Sequence, residues 1–177
     1  MKKFIIIFLV AAMLLTTIAC QGQRKDKDPS DSSSDAPVTT TTVKEYETLQ
    51  ARLESIVDAS GVEGILTNRQ YRQIDQESAA FFIGTESFDG TFKECVALEP
   101  DISPDAFALG LFELEEGADV KAFAEEVIGK ANLNKWICVS AEDKYVGIFG
   151  SYVLFVMTSK ADIAKIADAA GFEPISG

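Results

Sequence analysis

Few side chains in this chain could do chemistry, and none of them is a histidine: that residue is absent from all 177 positions. Its absence removes Ser-His-Asp and Cys-His nucleophilic catalysis, the usual zinc sites and the usual general base near neutral pH. Carboxylates, lysines, tyrosines and three cysteines are left. The spacing of Cys20, Cys95 and Cys138 matches no metal or redox motif. The acids include three adjacent pairs, Glu115-Glu116, Glu125-Glu126 and Glu142-Asp143. A carboxylate works as a general acid where burial or a like charge raises its pKa. Adjacent acids in a loop or on a helix usually face water instead. No catalytic residue is assigned on this basis, and no cofactor or metal is called for. Gly147 and Gly150 look like hairpin glycines, because a phosphate loop would open a helix and offer a lysine. Tyr145, Phe149, Tyr152 and Phe155 lie in or beside the same hairpin. They read as core, and an exposed aromatic face there would be a binding site.

Cys20 has the most specific surroundings. It closes the stretch MKKFIIIFLVAAMLLTTIAC, with Lys2 and Lys3 at the start and an unbroken apolar run from Phe4 to Leu15. That order is expected of an export signal with a small-residue cleavage site. Thr17-Ile18-Ala19-Cys20 resembles the lipobox of bacterial lipoproteins. In that family the cysteine thiol is diacylglyceryl-modified, the preceding bond is cut, and cysteine becomes the mature N-terminus. Ala19 and Cys20 fit the pattern, while Thr17 stands where leucine is usual. An ordinary secretory signal and an uncleaved membrane helix are the competing readings. A helix over Phe4 to Ala19 would span about 24 Å at about 1.5 Å per residue, short of a hydrocarbon core of about 30 Å. Arg24, Lys25 and Lys27 follow at once, so flanking charge does not single out one side. Lipidation needs neither length nor asymmetry. Two acyl chains, at about 0.8 kcal/mol per buried methylene, hold a protein on a bilayer where one would not. The expected address is the outer face of the cell membrane, with the lipid anchor as the membrane contact.

Removal of the first 19 residues leaves 158 and takes away two lysines, moving the net charge from −12 to −14. So acidic a chain is not expected to bind nucleic acid or to grip anionic lipid electrostatically. Outside the cell, Cys95 and Cys138 form an even pair, which could be joined by a disulfide or remain free buried thiols.

Residues 20–42 read as the lipidated cysteine and a flexible tether. Gln21 to Thr42 is polar, low in complexity and free of large apolar residues, too poor in apolar surface to offset its ordering entropy. As a coil of 22 residues it would span about 25 to 30 Å. The folded domain is expected over residues 43–177. Thr42 and Glu45 suit a capping box, and Tyr46, Leu49, Leu53, Ile56 and Val57 recur at helical spacing up to Gly61. Within Val62 to Gly84 a second helix is read, capped at Thr67 or Asn68 and closed by Gly84, with a strand over Ala79 to Ile83 as the alternative. Thr91 to Leu98 alternates as a half-buried strand, and the apolar run Ala106 to Leu114 predicts a strand covered on both faces. Gly110 would let another group approach that strand closely. Asp119 introduces a helix through Ala131, and Trp136 to Val139 is expected to be a short extended piece. Lys144 to Phe149 and Tyr152 to Thr158 form a hairpin across Gly150-Ser151, and Ser159 opens a last helix that Gly171 closes.

Hairpin-linked strands without a repeating βαβ pattern predict an α+β fold. The expected form is a single four-stranded, mainly antiparallel sheet with helices packed on it, in the order α-α-β-β-α-β-β-α. From about Thr91 to Ala170 the chain resembles a family of lipoproteins without assigned activity from anaerobic Gram-positive bacteria. The likeness rests on Ala106-Phe107-Ala108-Leu109-Gly110-Leu111-Phe112, on Trp136, and on Gly150-Ser151-Tyr152-Val153-Leu154-Phe155-Val156. It implies a lipoprotein and no catalytic residue. A membrane-anchored binding or interaction module, with an envelope protein as partner, fits the scarcity of catalytic side chains. A small carboxylate-dependent envelope hydrolase would instead need a concave pocket holding two acids, or an acid and a lysine. A substrate-capturing lipoprotein for a transporter is the third reading.

Overall fold

The computed structural model describes residues 45–66, 70–100 and 106–175. The chain divides into Met1–Thr42 and Val43–Gly177, and every described residue belongs to the second unit. In order, the elements are α1 (Leu49–Ser60), α2 (Glu63–Leu66), β1 (Tyr71–Gln73), α3 (Ala79–Ile83), β2 (Glu94–Leu98) and β3 (Ala108–Glu113). Then follow α4 (Val120–Lys130), β4 (Asp143–Phe149), β5 (Tyr152–Thr158), α5 (Lys160–Ala170) and β6 (Glu173–Pro174).

All six strands join one sheet in the order β1-β2-β3-β5-β4-β6, and each neighbouring pair is antiparallel. The class is α+β as expected, but the expected count of four strands is wrong. The two additional strands lie at the edges. They are three and two residues long, and mostly polar. Segments that short hold too little of a period-two pattern to be recognised, and a Pro suits an edge strand because the ladder there needs no donor from it.

Side chains from the sheet alternate between two cores. Val96, Leu111 and Leu154 stand in register on the face covered by Leu53, Ile56 and Val57 of α1 and Ile166 of α5. Ala97, Gly110, Phe155 and Val146 form the next row, on the face covered by Phe82 and Ile83 of α3 and Phe123, Ala124 and Val127 of α4. The result is three layers, with the sheet in the middle. This explains why β2 is buried from Cys95 to Leu98 instead of half-buried as its alternation predicted. Residues of both parities meet a helix.

The helix boundaries follow local chemistry. Thr48 caps α1 by accepting the Ala51 N–H at 3.0 Å, so the helix begins later than a box at Thr42 would place it. Thr42 lies outside the described residues. Asp119 caps α4 through Ala122, and Ser159 caps α5 through Asp162. Val62 to Gly84 is not one helix, though Ala79 to Ile83 is helical and not a strand, and Gly84 closes it as expected. The segment carries α2, β1 and α3, and the expected caps Thr67 and Asn68 are not among the described residues. Trp136 to Val139 forms bends and no strand. At the hairpin, Gly150 has φ of 59°, the left-handed conformation such a two-residue loop requires.

Candidate functional site

Glu99, Lys135 and Arg72 come together at the β2 end of the sheet. Arg72 on β1 stands opposite Ala97 on β2, and Glu99 lies two residues beyond Ala97. Period-two alternation therefore turns Arg72 and Glu99 toward the same face, within reach of long side chains on diagonal positions. Arg72 Nη2 donates to Glu99 Oε2, and the two form an ion pair. The other oxygen of Glu99, Oε1, accepts from Lys135 Nζ at 2.5 Å. Both carboxylate oxygens are thus committed. The side chains of Glu99 and Lys135 are only 9% and 8% exposed, whereas that of Arg72 is 51% exposed.

Two glycines bring Lys135 into this position. Gly110 on β3 leaves room for the Phe82 ring; a Cβ there would lie 2.6 Å from Phe82 Cε1. Phe82 packs edge-on against Phe155, with ring centroids 5.5 Å apart, and so seats α3 on the sheet. Gly84 ends α3 with φ of 84°, and a Cβ on it would lie 2.7 Å from Lys135 Cβ. The segment after α4 crosses that helix end, with Asn132 N–H donating to Ile83 O at 3.3 Å. Lys135 Nζ then donates to Phe82 O at 2.5 Å. A carbonyl in the last turn of a helix has no partner within the helix, and a lysine there satisfies it. The same ammonium lies 5.1 Å from the Phe82 ring centroid and 5.0 Å from that of Trp136. Burial pushes the Lys135 pKa down. The Glu99 carboxylate opposes that shift, and the Arg72 charge adds to it.

Above this cluster is a cavity of about 520 Å³, a size that suits a small molecule. Phe81, Trp136, Thr85, Glu86 and Asn134 line it together with the charged cluster. Phe81 is 79% exposed, an unusual state for a phenylalanine, and Ile137, next to Trp136, is fully exposed. The segment carrying Trp136 is internally braced. Asn132 Oδ1 accepts the Asn134 N–H at 2.9 Å, Ser140 Oγ donates to Asn134 Oδ1 at 2.7 Å, and Ala141 N–H donates to Leu133 O at 2.9 Å. Trp136 is half-buried against the core, and Ile137 beside it is held in water by this bracing.

The residues singled out from the sequence lie elsewhere. Cys20 is outside the described residues. Cys95 and Cys138 are both free, the first buried in β2 and the second exposed beside Ile137, so the disulfide considered for them is not formed. Burial pushes the Cys95 thiol well above its ordinary pKa, which makes it inert. Glu115, Glu116, Glu125, Glu142 and Asp143 are exposed, and Glu126 pairs with Lys130 at 2.8 Å; none lines the cavity. Among the hairpin aromatics Phe155 is core. Phe149 and Tyr152 are covered by Arg52, whose guanidinium carbon lies 4.9 and 3.9 Å from their ring centroids. Tyr145 donates its hydroxyl to Phe172 O at 2.9 Å. Phe149 and Tyr152 stay partly exposed and, with Arg52 and Tyr46, line a second cavity of about 470 Å³. Arg72, Glu99 and Lys135 carried no sequence motif. The available signal was a buried strand running directly into an acid, Cys95 to Glu99.

Among the described residues no cluster of three or more metal-ligating side chains occurs, and no helix is long and apolar enough to cross a membrane. Comparison with known protein families, with curated proteins and with solved structures found no match to this chain.

Proposed function

We propose that this chain is a lipoprotein anchored at the outer face of the cell membrane through Cys20, and that its folded domain binds a ligand in the cavity beside Lys135. The anchor reading rests on the Lys2-to-Cys20 sequence pattern and on the resemblance of its last four residues to a lipobox. The binding reading rests on one observation: a buried ionic cluster sits beneath an open cavity with Phe81 held in water beside it. Burying charges costs free energy that an apolar core would not, and exposed large aromatics favour association with a partner.

The cavity holds two acids and a lysine, the composition an envelope hydrolase would need. However, both oxygens of Glu99 and the Lys135 amine are tied to each other and to fixed neighbours. That arrangement suits holding a ligand better than moving a proton.

The chain has a single tryptophan, Trp136, and it lines the cavity, so its emission reports on this site alone. Titration with phenylacetate, benzylamine and benzyl alcohol is expected to shift that emission for at least one probe. Phe81→Ala, a change at an exposed position, is expected to weaken the effect while far-UV circular dichroism stays the same. If no probe moves the emission, the cavity is not the binding site. The anchor is tested separately: native protein is expected to begin at an acylated Cys20, and Cys20→Ala is expected to leave the membrane fraction.

A further inference from the structure

We infer that the cavity selects a small carboxylate with an aromatic or branched apolar body, taken by the free edge of Arg72. This rests on the cavity being a binding site. Glu99 has both oxygens engaged, one by Arg72 and one by Lys135. Lys135 is buried and gives two of its three donors to Glu99 and Phe82 O. Arg72 is different. It meets Glu99 through Nη2, its side chain is half in water, and its Nε and Nη1 hydrogen-bond to nothing among the described residues. Nη2 carries two hydrogens and Glu99 takes one; the other, together with Nε–H or Nη1–H beside it, forms a rigid fork that matches a carboxylate in two parallel bonds.

Within the cluster two cations share one buried acid, which leaves one positive charge in excess there, and Glu86 across the cavity brings the lining as a whole to neutral. The net charge, −12 for the full chain and −14 without its first 19 residues, does not prevent capture of an anion there. Exposed charges beyond about 8 to 10 Å are screened at physiological salt, whereas Arg72 would touch the ligand. Phe81 and Trp136 supply an apolar wall for the remainder of the molecule. Glu86, also on the wall and exposed, is the one acid there that no cation neutralises through a hydrogen bond or ion pair among the described residues. Its charge should weaken an anion and favour a cation.

The three probes differ in charge and share a benzyl group, so their comparison tests the ligand class. Phenylacetate is expected to bind at least tenfold more tightly than benzyl alcohol, and benzylamine more weakly still. Arg72→Gln is expected to abolish the preference for phenylacetate over benzyl alcohol. Glu86→Gln is expected to tighten phenylacetate severalfold. If benzyl alcohol or benzylamine binds as well as phenylacetate, the cavity is a site but not for carboxylates, and the inference fails alone. If Arg72→Gln keeps the preference, Arg72 is not the recognising group and the inference fails. If no probe binds, the reading of the cavity as a site fails with it.

Discussion

Replacing Glu99 by glutamine should damage the fold more than replacing Lys135 by methionine, though the two residues form one ion pair. Glu99→Gln removes the anion that pairs with both cations. Lys135, 8% exposed, is then left with Phe82 O and two ring faces, beside the positive charge of Arg72. Leaving a buried charge uncompensated costs about 3 to 5 kcal/mol. Lys135→Met removes the buried cation itself. Glu99 keeps Arg72, which is half in water. The loss is the hydrogen bond to Phe82 O, worth about 1 to 2 kcal/mol, and methionine refills most of the volume of the lysine stem. The difference between the variants is thus about 2 kcal/mol, roughly 30-fold in the folding constant. Urea unfolding followed by Trp136 emission and far-UV circular dichroism measures it. With a slope near 2 kcal/mol per molar, the two midpoints should lie about 1 M apart. Adding Lys135→Met to Glu99→Gln should recover about 1 kcal/mol or more, because the second change removes the charge that the first exposed. Equal midpoints for the single variants, or a double variant less stable than Glu99→Gln, would falsify the claim that burial of Lys135 sets the cost.

Gly110→Ala should destabilise the protein by about 1 to 3 kcal/mol, because its methyl would enter the Phe82 ring, which Phe155 and Phe112 hold in place. Gly129→Ala is the same change in α4 with open space around it, and it should stabilise by about 0.5 to 1 kcal/mol; opposite signs in thermal unfolding are the readout. The stability of wild type relative to Lys135→Met should rise with pH just below 10.5, the ordinary lysine value, because the folded pKa lies beneath it. Below the folded pKa both states hold the proton and the burial penalty is complete. Between the two values the folded state sheds the proton first and the penalty lifts. Lys93, raised by its bond to Glu113, contributes the reverse trend above 10.5 in both proteins and cancels in the difference; a relative stability that falls over this range would contradict the sign. In native Cys20→Ala protein, Cys138 should react with a thiol reagent at once and Cys95 only on unfolding, so a titration that finds two fast thiols would show β2 to be open.

The elements that could be read from the sequence are those whose signals are long or doubly specified. Ala106 to Leu114 holds enough consecutive apolar residues to require cover on both faces, and Ala108–Glu113 has it. The last helix carries a cap at each end, at Ser159 and Gly171. β1 and β6 were missed because a strand of two or three polar residues is defined by its partner and not by its own pattern. The half-buried reading of β2 failed for a related reason. Alternation of Glu94 and Lys93 with apolar neighbours describes the start of the strand, and the later residues are buried by helices from distant parts of the chain. The cluster was out of reach altogether. Glu99 is 27 residues from Arg72 and 36 from Lys135, and each alone looks like a surface charge or turn residue.

What joins the cluster to the core is legible only once the layers are assembled. A missing side chain at Gly110 admits Phe82, Phe82 seats a helix of five residues, and Gly84 stops that helix where Lys135 can cross it. The last-turn carbonyl so presented then draws the amine inward, where Glu99 bonds to it. The position of Lys135 is therefore set by the central strand and not by the loop that carries it. A ligand in the cavity would meet a floor packed onto the sheet through Phe82. Its binding should therefore depend on the few exposed groups at the rim, Arg72, Phe81 and Glu86, and not on reordering of what lies beneath.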